Sequence, residues 1–139
     1  MPIDKEKVKQ HFSKSADTYD QYAHLQRRIA DELVEQVGHL SFAPEKILDI
    51  GCGTGYAVLK LAAKYPKAQV VGFDLAPGMV EKAAEKAGQK KLANLSFIAG
   101  DAEDLPFDDK SFDLVVSSST YQWVNSLDKA FREVKRTLI

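Results

Sequence analysis

The sequence predicts an α/β fold: a doubly wound, mainly parallel sheet preceded by N-terminal helices. Three observations predict it. Short apolar runs alternate with helically spaced segments from Lys46 onward, an order that implies parallel strands joined by right-handed crossovers. The first run, Lys46-Ile-Leu-Asp-Ile50, passes directly into Gly51-Cys-Gly-Thr-Gly55 and then into a helix. The chain has 139 residues, 45% hydrophobic and 28% charged, the size and balance of one globular domain rather than of a disordered or fibrous chain.

The elements follow in order. From Asp4 to about Leu40, Val8, Phe12, Tyr22, Leu25, Ile29, Leu33 and Val37 recur at spacings of three and four, which predicts one apolar helix face. Ser15 to Thr18 interrupts it, and Gly38 stops it. Lys46 to Ile50 is the first strand. Ala57, Val58, Leu61, Ala62 and Tyr65 carry the next helix, ended by Pro66. Ala68 to Phe73 is the second strand. Pro77 to Ala87 is a helix with Pro77 in its first turn and Gly88 beyond its end. Leu95 to Ala99 and Phe112 to Ser117 are the third and fourth strands. A last helix runs from Leu127 to Leu138, with Leu127, Ala130, Phe131, Val134 and Leu138 as its apolar positions. Together these make a Rossmann-like sheet with covered faces.

Composition excludes several classes. The net charge is −1, so no global field favours nucleic acid or membrane. The one cysteine, Cys52, forms no intramolecular disulfide and no cysteine-rich metal site, and suits a reducing cytoplasm. The charged start, with Asp4, Lys5, Glu6, Lys7 and Lys9, lacks the apolar core of a signal peptide.

In a doubly wound sheet, ligands bind beyond the carboxyl ends of the strands, and four loops leave those ends. In the first, Gly51, Gly53 and Gly55 bring backbone close to a ligand and aim helix N-terminal amides at it. The dinucleotide fingerprint would place its third glycine at Tyr56, and no Gly-Lys-Ser/Thr phosphate loop exists. In the second, Asp74 lies about 20 positions past Gly55, where a carboxylate accepts ribose hydroxyls. Its competing use is to cap the helix that Pro77 begins. In the third, Asp101 is an acceptor for an exocyclic amine, with the Ala102 amide beside it. In the fourth, Ser117 or Ser118 faces the ligand, and Tyr121, Gln122 and Trp123 border a substrate, Trp123 and Val124 having core packing as the alternative.

Leu48-Asp-Ile-Gly-Cys-Gly-Thr-Gly-Tyr56, Val71-Gly-Phe-Asp74, Gly100-Asp-Ala-Glu-Asp-Leu-Pro-Phe107 and Phe112-Asp-Leu-Val-Val-Ser117 resemble the successive motifs of class I S-adenosylmethionine-dependent methyltransferases. Phe12 to Arg28, with Gln122-Trp-Val124 and Leu127 to Glu133, is similar to the malonyl-[acyl-carrier protein] O-methyltransferases of biotin synthesis. The resemblance implies S-adenosyl-L-methionine as cofactor and a small-molecule or carrier-bound carboxylate as acceptor. It implies that Gly51, Gly53 and Gly55, with Cys52 inside the loop, contact the methionine part, with Asp49 shaping the loop. It assigns the ribose to Asp74, the adenine faces to Leu75 and Met79, and the adenine edge to Asp101 and Ala102. Tyr19, Gln26 and Arg27 belong to a flap. The chain then divides into an N-terminal helical flap, 1–40, and a cofactor-binding core, 41–139.

The family's sheet continues beyond the four strands read here, so the fold is expected to be incomplete at its C-terminus and the fourth strand to lie at an edge. An exposed apolar edge invites a dimer or another partner. An ionised carboxylate acceptor needs no general base. None is named: His11, His24 and His39 all fall in the N-terminal segment, and no catalytic or metal-binding residue is assigned. The competing expectations are a cofactor-binding fragment or regulatory domain without turnover, a methyltransferase for another small molecule, and a nicotinamide or flavin oxidoreductase.

Overall fold

The computed structural model describes residues 4–7, 24–117 and 125–139. Val8, Phe12, the expected break at Ser15–Thr18, Tyr19 and Tyr22 lie outside them, as do Ser118, Tyr121, Gln122, Trp123 and Val124. The elements are α1 (His24–Val37), β1 (Lys46–Ile50), α2 (Tyr56–Lys64), β2 (Gln69–Asp74), α3 (Pro77–Gln89), β3 (Leu95–Ala99), β4 (Leu114–Val116) and α4 (Leu127–Thr137). All strand pairs are parallel, in the order β3-β2-β1-β4. The winding reverses at β1, so the crevice of the sheet opens at the carboxyl ends of β1 and β4. As expected, β4 is an outer strand.

The alternation of side chains along β1 builds two cores. Ile47 points to one face, where it packs with Val37 of α1, Val58, Leu61 and Ala62 of α2, and Val70 of β2. Leu48 and Ile50 point to the other, against Phe73, Ala102, Leu105 and Phe112, with Val134 of α4 joining them. The second face is the thinner one. It is covered by the segment from Ala102 to Phe112 and by α4, and Ile98 of β3 is left 36% exposed.

Arg136 holds that segment in place. Its guanidinium donates to the carbonyls of Phe107 (2.7 Å) and Leu105 (3.0 Å) and to the carboxylates of Glu133 and Asp109, while Glu133 accepts the Leu105 N–H. Glu133 is held below the usual carboxylate range by Arg136, and the guanidinium is pushed up in return.

Two helices bury narrower stripes than their periodicity suggests. On α1 the buried or half-buried apolar residues are Ala30, Leu33, Val34 and Val37, whereas Leu25 is 65% and Ile29 43% exposed. The latter pair sits a quarter to a third of a turn round the helix, and α1 packs on α2 alone among the major contacts. On α4, Ala130, Val134 and Thr137 face inward and Leu127 and Phe131 are exposed, because that helix reaches the sheet by one ridge.

Several boundaries also move. Asp74 is the last residue of β2 rather than the first of its loop. β4 begins at Leu114 rather than Phe112 because the Asp113 carboxylate turns back to accept the N–H groups of Glu45 and Lys46, and Phe112 pairs instead with Leu138. α3 runs through Gly88 to Gln89. The left-handed residue beyond it is Lys91 (φ 56°), whose N–H donates to Gly88 O while Leu92 N–H donates to Ala87 O, both 3.1 Å. That is the Schellman arrangement, completed by a lysine in glycine's usual place.

Candidate functional site

Parallel strands in register bring the four predicted loops to one end of the sheet. Ile50 pairs with Phe73, Asp74 with Ala99, and Asp49 with Val116. Gly51, Leu75, Gly100 and Ser117 therefore leave their strands side by side, with Asp49 the last residue but one of β1 and Asp74 the last of β2.

The glycine loop is shaped by its own backbone. Gly51, Gly53 and Gly55 have φ of 79°, 56° and 97°, values costly for other residues. A Cβ on Gly55 would also lie 3.0 Å from Cβ of Ala83, so this glycine lets α2 start against α3. The N–H groups of Gly51 and Cys52 both donate to Phe73 O, at 2.7 and 3.0 Å. The Cys52 side chain joins the first core, and burial, with Asp49 and Asp74 adding to it, pushes its thiol up. Cys52 thus offers the site its backbone.

Asp74 couples the first two loops. Its Oδ2 accepts the Gly53 N–H and its Oδ1 the Ala76 N–H, each at 2.9 Å. Ala76 precedes α3, so the capping use foreseen for Asp74 is realised. With Leu75 N–H as a third backbone donor, the carboxylate, which has about four acceptor sites, still has room for a further donor. Burial raises the Asp74 carboxyl against the opposing pull of the Ala76, Gly53 and Leu75 N–H groups. Asp49, buried beneath the loop, is pushed up to about 8 by burial, with the Asp74 charge adding to it. Leu75 is half-buried beside them, and Met79 is enclosed in the first turn of α3.

In the third loop Asp101 is half-exposed and its Oδ1 accepts the Glu103 N–H at 2.9 Å. Ala102 is buried in the second core. At the end of β4, Oγ of Ser117 is buried and, among the described residues, without a hydrogen-bond partner.

Sequence reading missed two constellations. Tyr56, at the position that spoiled the dinucleotide fingerprint, donates its hydroxyl to Asp31 of α1 at 3.0 Å, and Lys60 reaches both Asp31 (2.6 Å) and the Tyr56 oxygen (3.0 Å). Lys60 and Arg27 also stand over the Tyr56 ring, at 4.4 and 5.7 Å. Arg27, a predicted flap residue, thereby lies beside the start of α2, whereas Gln26 is exposed. The spacing of Tyr56 and Lys60 by four on one helix was the available signal. The second is Lys5, which donates to both oxygens of Asp101 and to Glu103.

A groove of about 710 Å³ opens at the opposite end of the sheet, beside Pro66, Lys67, Gln69 and Asn94. The Asn94 amide there donates to the carbonyls of Ala62, Tyr65 and Ala68, so its polar floor is internally paired. Among the described residues no His, Cys, Asp and Glu cluster suited to a metal occurs, and no helix is long and apolar enough to cross a membrane.

A family profile described as "Methyltransferase domain" matches residues 47–139. The chain belongs to the methyltransferase domain family. This methyltransferase chain is 43% identical over 136 residues to the malonyl-[acyl-carrier protein] O-methyltransferase of Geobacter sulfurreducens, covering 98% of itself and 50% of that protein. It is 40% identical over 131 residues to the enzyme of that name from Legionella pneumophila, covering 94% of itself and 45% of the relative. It thus spans about half the length of the curated relatives it matches. Among solved structures, a protein described as a candidate S-adenosyl-L-methionine-dependent methyltransferase from Methanococcus maripaludis superposes with a TM-score of 0.80. The identity is 26%, with 91% of this chain and 58% of that one covered. The Rossmann-like methyltransferase fold expected from the four motifs is therefore the fold of this chain.

Proposed function

We propose that the chain carries the donor half of an S-adenosyl-L-methionine-dependent methyltransferase whose acceptor is a carboxylate, that of a malonyl group on acyl carrier protein. The observation that carries the donor reading is the meeting of the glycine loop, Asp74 and Asp101 at adjacent strand ends. The acceptor reading rests on the two relatives named malonyl-[acyl-carrier protein] O-methyltransferase, which the chain matches over nearly all of its own length.

The residues fit the cofactor. Gly51, Cys52, Gly53 and Gly55, with Asp49 beneath, receive the methionine part at the start of α2. Asp74 keeps acceptor capacity for a ribose hydroxyl beside its three backbone donors. Leu75 and Met79 flank the adenine, and Asp101 and Ala102 take its edge. Ser117 Oγ, unpartnered among the described residues, has a donor or acceptor to meet at the end of β4. Residues 1–40, with Tyr19, Gln26 and Arg27, act as the flap, anchored to the core by the Asp31–Tyr56–Lys60 cluster.

When bound, the cofactor supplies a methyl group already activated by a positively charged sulfur. The protein's task is to hold donor and acceptor in line and to exclude water, and alignment of that kind lowers a barrier by several kcal/mol. A carboxylate acceptor is ionised at neutral pH, so no side chain has to remove a proton. We place the protein in the cytoplasm, where one buried thiol stays reduced, and include pairing of a second copy along the outer strand β4. A monomer by light scattering at high concentration would remove that pairing.

Calorimetric titration with S-adenosylhomocysteine tests the donor site. The expected dissociation constant is micromolar, about −8 kcal/mol, with NADH as the control that does not bind. Methyl transfer to a malonyl thioester then separates turnover from a cofactor-binding domain without it.

A further inference from the structure

We propose that Lys5 is a positioning residue of the donor site: held by Glu103, its ammonium spans both oxygens of Asp101 and latches the N-terminal turn to the rim of the site. The role rests on the donor-site reading given above.

The latch is assembled from the sequence upward. Asp4 caps the helical turn that begins at Lys5, its Oδ1 accepting the N–H groups of Glu6 at 3.1 Å and Lys7 at 3.2 Å. That turn projects Lys5 onto residues nearly a hundred positions away. Nζ of Lys5 lies 2.9 Å from Oδ1 and from Oδ2 of Asp101 and also contacts the Glu103 carboxylate. Glu103 in turn accepts the N–H groups of Asn125 at 3.0 Å and Ser126 at 2.9 Å, the residues leading into α4. Two stretches from opposite ends of the chain therefore converge on one carboxylate.

This is no ordinary surface ion pair, whose worth is small. The Lys5 side chain is only 17% exposed and that of Glu103 10%. Asp101 and Glu103, two residues apart on one loop, place two negative charges around the same point, and Lys5 is the cation that offsets their repulsion. The arrangement also directs Asp101. Oδ1 is shared between Lys5 and the Glu103 N–H, whereas among the described residues Oδ2 accepts from Lys5 alone. The acceptor capacity left on Oδ2 is what an exocyclic amine on the ligand would use.

The test pairs binding with hydrogen exchange. Lys5→Met is expected to weaken S-adenosylhomocysteine binding about tenfold, and Lys5→Arg to restore most of it. In an Asp101→Asn background the same change should add less than about twofold, the non-additivity of two groups acting as one. S-inosylhomocysteine, which has a carbonyl where adenine has its amine, should bind wild type and Lys5→Met alike. In the unliganded protein, Lys5→Met should speed exchange at the Asn125 and Ser126 amides. Equal affinities, additive effects or unchanged exchange would each overturn the latch. Failure of the wild type itself to bind would overturn the donor-site reading, and the role of Lys5 with it, a result separate from binding that Lys5→Met leaves unaltered.

Discussion

The Gly53 N–H donates to the Asp74 carboxylate across 2.9 Å, so the residue proposed to hold the ribose also sets the glycine loop. Ala76 uses the other oxygen. Asp74→Ala is therefore expected to do two things at once. It should abolish measurable S-adenosylhomocysteine binding, and it should lower stability by about 1–3 kcal/mol by orphaning two enclosed N–H groups. Asp74→Asn, which keeps one carbonyl acceptor, should fall between on both scales. Calorimetry and urea denaturation check the two effects separately, and a variant that loses affinity with no stability change would contradict the coupling.

Gly72 in β2 is required by packing rather than by dihedral angle. A Cβ there would lie 2.6 Å from Cδ1 of Phe97 and 3.2 Å from Sγ of Cys52. Gly72→Ala is expected to cost about 1–3 kcal/mol as an overpacked core, seen as a lower urea midpoint. Phe97→Leu in the same chain should recover part of it.

The course of the sheet was readable because it is local. β1 and β3 coincide with their apolar runs, and each predicted loop leaves the carboxyl end of its strand. What escaped was long-range or rotational. Periodicity shows that Leu25, Ile29, Leu127 and Phe131 lie on helices, yet nothing in a period says which arc a neighbour covers. Asp101 and Ser117 could be placed at strand ends from the sequence, but the partner of Asp101, Lys5, belongs to a turn far away in the chain. Tyr56 read as a missing glycine, and its bond to Asp31 needed the packing of α1 on α2 to become visible.

Asp49 links stability to pH. Its folded value of about 8 lies above the ordinary 3.8, chiefly through burial, with Asp74 adding to it. The native state therefore keeps a proton that the unfolded chain releases, and the stability this group contributes is complete at acid pH and lost as pH rises through about 4 to 8. Asp49→Asn should remove that component, gaining more stability over wild type at pH 8 than at pH 5. Melting temperatures at the two pH values check it, and a uniform shift would show that the carboxyl is not the source.

Lys91 and Gly88 give opposite tests of where α3 ends. If Gly88 were the left-handed residue beyond the helix, as its type suggests, Gly88→Ala would be destabilising. In the structure Gly88 lies inside the helix, and an added Cβ would meet nothing within 4 Å. Gly88→Ala should therefore stabilise by about 0.5–1 kcal/mol through helix propensity and a less disordered unfolded chain. Lys91 bears the positive φ of 56°, a conformation that costs an L-residue about 1–2 kcal/mol. Lys91→Gly relieves that strain, while the added freedom of the unfolded chain returns part of the gain, for a net of about 0.5 kcal/mol. The side chain is exposed, so little packing is lost. Both urea midpoints should rise. A fall for Gly88→Ala together with a rise for Lys91→Gly would mean that the helix unwinds a turn earlier than Gln89.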